Sequence, residues 1–190
     1  IALVERLKTS VKEGVDYHPY LPREDGRLPM SDFGGVHRVN VTGLVHDMWG
    51  FPSSEPNVVH GLLRHLVDKI ENRAHKLAHF REYYTQDAEH LLLSYGSAAR
   101  SALHTVENRR QRGERLGLLE LQTLWPFPED LVREKCAEVK SVIVVEQNMG
   151  QMLQAVKRVV DEPGKVFLAN RIDGVFITPK DIMNILRLIQ

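Results

Sequence analysis

Residues 141–152 read SVIVVEQNMGQM, and this stretch decides the fold. From Ser141 to Glu146 the side chains are almost all apolar and β-branched, with no alternation of polar and apolar positions. A short run of that kind, closed by a turn, reads as a strand covered on both faces, as in parallel sheets flanked by helices. The apolar residues of 149–160 then take helical spacing, and Asn148 with Gln151 has the form of a capping box at the start of that helix. Glu146 and Gln147 are left as polar groups just past the carboxyl end of the strand, where open α/β sheets place ligands and contacts. Both are therefore candidates for a contact with another subunit.

The same unit recurs on either side. His90 to Tyr95 (HLLLSY) is an apolar run, turned by Gly96 and Ser97 into a helical stretch that reaches about Arg112. Residues 116–124 (LGLLELQTL) form a second strand, and the WPFP run leads into a helix through Glu138, with Glu129 and Asp130 in its first turn, where the macrodipole favours carboxylates. Val166 to Asn170 is a further strand, and Thr178, Pro179 and Asp181 open a last helix over 178–189 with good start chemistry. Strands alternating with helices predict an α/β domain over 84–190, a mostly parallel sheet with helices on both faces.

Upstream the pattern changes. Residues 57–82 carry Val59, Leu63, Leu66, Ile70, Leu77 and Phe80 at spacings of three and four, with Arg73 the one polar break. This predicts a single long helix over 57–83, suited either to a coiled-coil seam or to linking two domains. Residues 1–56 read as a loop-rich connector, because Pro19, Pro22, Gly26, Pro29, Gly34, Gly35, Gly43, Gly50, Pro52 and Pro56 interrupt any periodicity. Only 36–42 suits an extended piece, and the scattered apolar residues suit a segment that lies on another structure. The chain opens on Ile1 within a periodic IALVERL run, so further sequence is expected before it.

Composition removes several classes. The 25 Lys and Arg residues balance 25 Asp and Glu, without the basic excess of an electrostatic nucleic-acid binder. Cys136 is the single cysteine, so the chain closes no internal disulfide and cannot supply the thiolates of an iron–sulfur cluster. Any such cluster is expected on a partner. With no long apolar run and no leader-like N-terminus, the expectation is a cytoplasmic protein without membrane contact.

Individual residues add little chemistry. His75 and His79 are four apart on the expected helix, but Lys76 stands where a zinc-protease motif has Glu and no third ligand is evident, so a solvated face is the simpler reading. His46 and Asp47 suit either a turn-stabilising pair or a subunit contact. Arg109, Arg110, Arg112 and Arg115 surround Gly113 at a helix end, where cations are expected with or without a bound anion. Tyr95-Gly96-Ser97 is a strand-to-helix turn with too few glycines for a phosphate loop. The residues by themselves yield no catalytic, cofactor-binding or metal-binding assignment.

Several of these stretches together resemble one family. Thr42-Gly43-Leu44, His46-Asp47 and Gly50 with Pro52 resemble the TGLxHDxxGxP connector in alpha subunits of 2-oxoacid:ferredoxin oxidoreductases. Tyr95-Gly96-Ser97 with Arg100, the LWPFP run from Leu124, residues 145–152, Lys157-Arg158, Ile172-Asp173-Gly174 and Thr178-Pro179 resemble the domain that follows, in order and spacing. The resemblance implies a domain similar to the C-terminal domain of transketolase, used for packing and assembly. It also implies an enzyme that decarboxylates a 2-oxoacid, 2-oxoglutarate being preferred, on thiamine diphosphate with magnesium. The electrons go through [4Fe-4S] clusters of partner chains to ferredoxin, and coenzyme A takes the acyl group. The cofactor is implied to sit chiefly on the beta subunit. The chain has no Gly-Asp-Gly tract of the thiamine diphosphate metal motif, so no catalytic residue carries over. A non-catalytic α/β interaction module is the competing expectation.

Overall fold

The computed structural model describes residues 5–189, so the first four residues of the IALVERL run lie outside the described part. The chain divides into two compact units, Ile1–Arg73 and Ala74–Gln190.

The second unit is the α/β domain. Its five strands are β1 (Phe80–Tyr83), β2 (His90–Tyr95), β3 (Leu116–Leu121), β4 (Ser141–Glu146) and β5 (Val166–Asn170), in the order β1-β3-β2-β4-β5. Every pairing is parallel except β1 with β3. The connecting helices are α3 (Ala98–Arg110), α4 (Glu129–Ala137), α5 (Gln151–Val159) and α6 (Pro179–Ile189). Successive residues of each strand face opposite sides. Leu91, Leu93, Leu119, Leu121, Val142 and Val144 pack with Val132 and Cys136 of α4 and with Met152 and Val156 of α5. Leu92, Leu116, Leu118, Ile143 and Val145 pack with Ala102 and Val106 of α3 and with Ile182 and Leu186 of α6. Burial on both sides is why these strands read as unbroken apolar runs.

The first unit has one long element, α1 (Pro56–Glu71), and otherwise a single isolated bridge between His46 and Pro52 among its described residues. Of residues 5–73 only Pro19 and Gly50 are buried.

Two expectations need correction. The helix expected over 57–82 ends at Glu71; Ala74–Leu77 forms a short α2, and Phe80–Tyr83 is strand β1. Asn72, a poor helix former, caps α1 with its N–H on the Asp68 carbonyl, next to the polar break at Arg73. Beyond it the free edge of β3 offers a ladder, with Phe80 opposite Leu121 and Tyr83 opposite Leu118. Pairing with that edge outweighs the helical spacing of Leu77 and Phe80. Residues 36–42 form no strand, because no neighbouring strand is there to pair with them.

Candidate functional site

From β2 the chain passes through α3 to β3 on one side, then returns to β4 on the other. The carboxyl ends of β2 and β4 therefore flank a switch point, the usual place for a crevice in an open α/β sheet. Tyr95-Gly96-Ser97 leaves one lip and Glu146 to Gly150 the other.

Glu146 lies in the core, with no exposed surface. Its Oε2 accepts the Met152 N–H at 3.0 Å and its Oε1 the Leu153 N–H at 3.1 Å. The carboxylate thus serves the first turn of α5, where free amides and the positive end of the macrodipole offset its burial. The Tyr95 hydroxyl reaches the same Oε2 at 3.4 Å and accepts a hydrogen bond from the Asn148 side-chain amide. Burial first, and the Glu146 charge second, push the Tyr95 phenol above its ordinary value. Asn148 Oδ1 accepts the N–H groups of Gly150 and Gln151 at 2.9 and 3.1 Å, while its carbonyl takes the Asn170 amide at 2.7 Å.

Asn148 thus holds the turn that leads into α5, but the expected capping box is corrected: the N-cap is Gly150, in the left-handed region at φ +97°, and Gln151 is the first residue of the helix. Glu146 as a contact to another subunit is corrected: the carboxylate points into its own domain and holds α5. Gln147 is the half-buried neighbour, accepting from Ser97 Oγ at 3.0 Å and donating to the Val175 carbonyl at 3.4 Å. Beside it a cleft of about 470 Å³ is lined by Gly96, Ser97, Arg100, Ser101 and Phe176. The polar groups at the switch point bond to one another. That arrangement can pack and orient, but presents no nucleophile with an adjacent base.

In the first unit His46 and Asp47 build a turn. Asp47 Oδ1 accepts the N–H groups of Trp49 and Phe51 at 2.9 and 3.0 Å, and the His46 ring lies 4.1 Å from that of Tyr20. His46 Nδ1 is 2.9 Å from the Asp47 carbonyl. Gly50 closes the turn at φ +90°, where a Cβ would fall 2.4 Å from the Asn40 carbonyl oxygen. Tyr20 donates to that carbonyl at 2.9 Å, and the Asn40 amide donates to the Gly50 carbonyl at 2.6 Å.

The remaining candidates disperse. His75 lies in α2 and His79 just before β1, both exposed, and no group of three or more His, Cys, Asp or Glu side chains suited to a metal occurs among the described residues. Arg109 pairs with Glu114, Arg110 with Asp87, and Arg115 with Glu89. Arg110 also donates to the carbonyls of Leu116 and Tyr84, so it binds the end of α3 to the sheet. Cys136 is buried in α4, and burial pushes its thiol up to about 12. Reading the sequence missed His90, whose Nδ1 lies 2.7 Å from Ser141 Oγ at the opposite end of the sheet. Nothing in the sequence spacing brings those two together; only the parallel register of β2 and β4 does.

Residues 88–182 match the family model described as pyruvate:ferredoxin oxidoreductase core domain II. The 2-oxoglutarate synthase subunit KorA of Methanothermobacter thermautotrophicus is 35% identical over 98% of this chain and 51% of its own length. Its counterpart in Methanocaldococcus jannaschii is 33% identical over 96% of this chain and 48% of its own length. The chain thus spans about half the length of the curated relatives it matches. A solved 2-oxoglutarate:ferredoxin oxidoreductase from Magnetococcus marinus superposes with a TM-score of 0.83 over 100% of this chain and 33% of that one, at 22% identity, and so shares the fold.

Proposed function

The chain belongs to the pyruvate:ferredoxin oxidoreductase core domain II family, and from that premise we propose that it is half of the alpha subunit of a thiamine diphosphate-dependent 2-oxoacid:ferredoxin oxidoreductase. The proposed reaction converts a 2-oxoacid, coenzyme A and two oxidised ferredoxins into acyl-CoA, carbon dioxide, a proton and two reduced ferredoxins. The observation that carries this reading is the match of nearly this whole chain to about half the length of 2-oxoglutarate synthase subunits. It also favours 2-oxoglutarate over pyruvate as the acid, since the pyruvate-named family covers only residues 88–182.

The residues here do not fit the enzyme's cofactors. A cluster needs several thiolates, whereas Cys136 is the only cysteine and is buried as a thiol. For magnesium, no group of three or more His, Cys, Asp or Glu side chains suited to a metal occurs among the described residues. We assign thiamine diphosphate, magnesium and the [4Fe-4S] clusters to the rest of the subunit and to partner chains, with the beta subunit the main one. No step of the reaction is assigned to this half.

Its own task is to support and assemble. We read residues 1–56 as a connector from an N-terminal domain, the helix that follows as a linking segment and the compact unit from Ala74 as the packing domain. Gln147, His46 and Asp47 are kept as positions near subunit contacts, with ferredoxin met only through the assembled enzyme. No helix among the described residues is long and apolar enough to cross a membrane, which accords with the cytoplasmic location we propose.

The test is to co-produce the full-length subunit with its partners and follow coenzyme A-dependent ferredoxin reduction with 2-oxoglutarate, pyruvate and a branched-chain oxoacid. Turnover should be fastest with 2-oxoglutarate. Absence of turnover with all three would reject the enzymatic reading.

A further inference from the structure

The first unit has a defined conformation but no core. Of residues 5–73 only Pro19 and Gly50 are buried, yet large apolar side chains crowd its surface. Phe33 is 86% exposed, Leu44 66%, Val36 63%, Val41 62% and Phe51 60%, with Met48 and Trp49 next to them in the chain. Isolated exposed apolar residues need no explanation, but seven within 19 residues of irregular chain do.

These side chains are held out by hydrogen bonds beneath them. The Asp47 carboxylate fixes the backbone at Trp49 and Phe51, and the Tyr20–Asn40–Gly50 chain of hydrogen bonds locks the turn from below. Tyr17 accepts the Ser31 N–H at 2.7 Å and donates to the Pro29 carbonyl at 3.0 Å, which anchors the segment entering Phe33. Between them lies a groove of about 610 Å³ lined by Tyr17, Phe33, His37, Arg38, Trp49 and Phe51. Asp32, at its edge, is already paired with Arg6 and Lys8, whereas Arg38 has no ion pair among the described residues. The groove is thus an aromatic bed beside Arg38, a cation that meets no carboxylate among the described residues.

We infer that this groove seats an apolar segment of the same subunit, from the half that its relatives carry outside the matched region, with a carboxylate beside Arg38. The relatives supply about as much chain again as is present here. Of the seven exposed apolar side chains, Phe33, Trp49 and Phe51 line the groove itself, and an apolar patch of that size on a segment without a core marks a surface that another segment covers. Cover from the same polypeptide is present at high effective concentration as soon as the chain folds. The inference rests on the subunit reading above and adds the occupant.

The experiment uses the full-length subunit in its purified complex. Phe33 is replaced by the photo-reactive p-benzoylphenylalanine, the complex is irradiated, and cross-linked peptides are identified by mass spectrometry from a mixture of ¹⁴N- and ¹⁵N-labelled subunits. The expected product joins position 33 to a peptide outside the matched region with the same isotope label. A link to a different subunit, a mixed-label link or no link would each overturn the inference. In parallel, Phe33→Asp and Phe51→Asp should raise amide exchange in residues 17–55 at least about tenfold while leaving residues 90–189 unchanged. Unchanged exchange in both segments would also overturn it. Cross-linking is independent of which acid is turned over, so a failure of the enzyme assay and a failure of the docking inference are separately visible.

Discussion

At the scale of single residues, Glu146 shows how a strand-end carboxylate is used. Glu146→Ala leaves the Met152 and Leu153 amides without their acceptor at the head of α5. Buried orphaned donors cost about 1–3 kcal/mol each, so urea unfolding of the full-length subunit should show a loss of about 3 kcal/mol. Glu146→Gln keeps one carbonyl acceptor and should recover part of it; a wild-type midpoint for the alanine variant would mean that the carboxylate does not hold α5. The sequence placed Glu146 at the right crevice but not its direction. That depends on the turn through Gly150, which brings amides six and seven positions later back onto the carboxylate. His90 supplies a pH-dependent counterpart. Burial first, then the Lys140 cation, holds its imidazole below the ordinary 6.5, with Glu114 opposing. The unfolded chain then binds more protons just below that value. This contribution to stability is complete above 6.5 and is lost as pH falls through 6.5 toward the folded value. The melting temperature should therefore fall more steeply from about pH 7 to about pH 5 in the wild type than in His90→Gln; parallel curves would exclude His90 as the cause.

At the scale of elements, β2, β3, β4 and β5 and the helices between them were legible because two-sided burial writes itself as apolar runs, and caps such as Thr178 with Asp181 mark the turns. The structure shows that cap in reciprocal form, Thr178 donating to Asp181 Oδ2 at 2.7 Å while the Asp181 N–H returns to Thr178 Oγ1 at 3.4 Å. β1 was not legible. Its four residues, FREY, continue the spacing of the preceding helix, and only the open edge of β3 makes them a strand. Gly117 reveals how close that junction is, since a Cβ there would meet the Tyr84 carbonyl oxygen at 2.8 Å and Ala88 Cβ at 2.9 Å. Gly117→Ala must push the 84–88 turn outward, and overpacking of this kind costs about 1–3 kcal/mol. Hydrogen exchange should quicken in Phe80–Tyr83 well before the β2–β4 ladder responds. Equal protection throughout would show that the turn absorbs the methyl group without disturbing β1.

At the scale of the whole chain, the two units differ in what holds them, and that difference predicts how the chain comes apart. Unit 74–190 buries apolar side chains on both faces of a sheet, with β2, β3, β4 and β5 contributing to the cores on both sides. Residues 5–73 rest on local turns, a few side-chain-to-carbonyl hydrogen bonds and α1, none of whose residues is buried. Local opening is easiest where few apolar contacts must break, so proteolysis samples that part first. The sequence conveyed this contrast through its dense prolines and glycines before residue 57, although not the position at which order begins. It set the packing domain at 84, because β1 was hidden in a helical spacing, whereas the compact unit starts at Ala74. The outcome expected on treating this 190-residue chain briefly with thermolysin is early cleavage between about 10 and 55 and a resistant product that begins near residue 74 and retains β1. A product beginning at 84 or later would mean that β1 adds nothing to the domain. Early cuts within Leu116–Leu121 or Ser141–Glu146 would mean that the sheet is not its most stable part. In the assembled complex the early cuts should disappear, because the apolar side chains around the Asp47 turn are then covered.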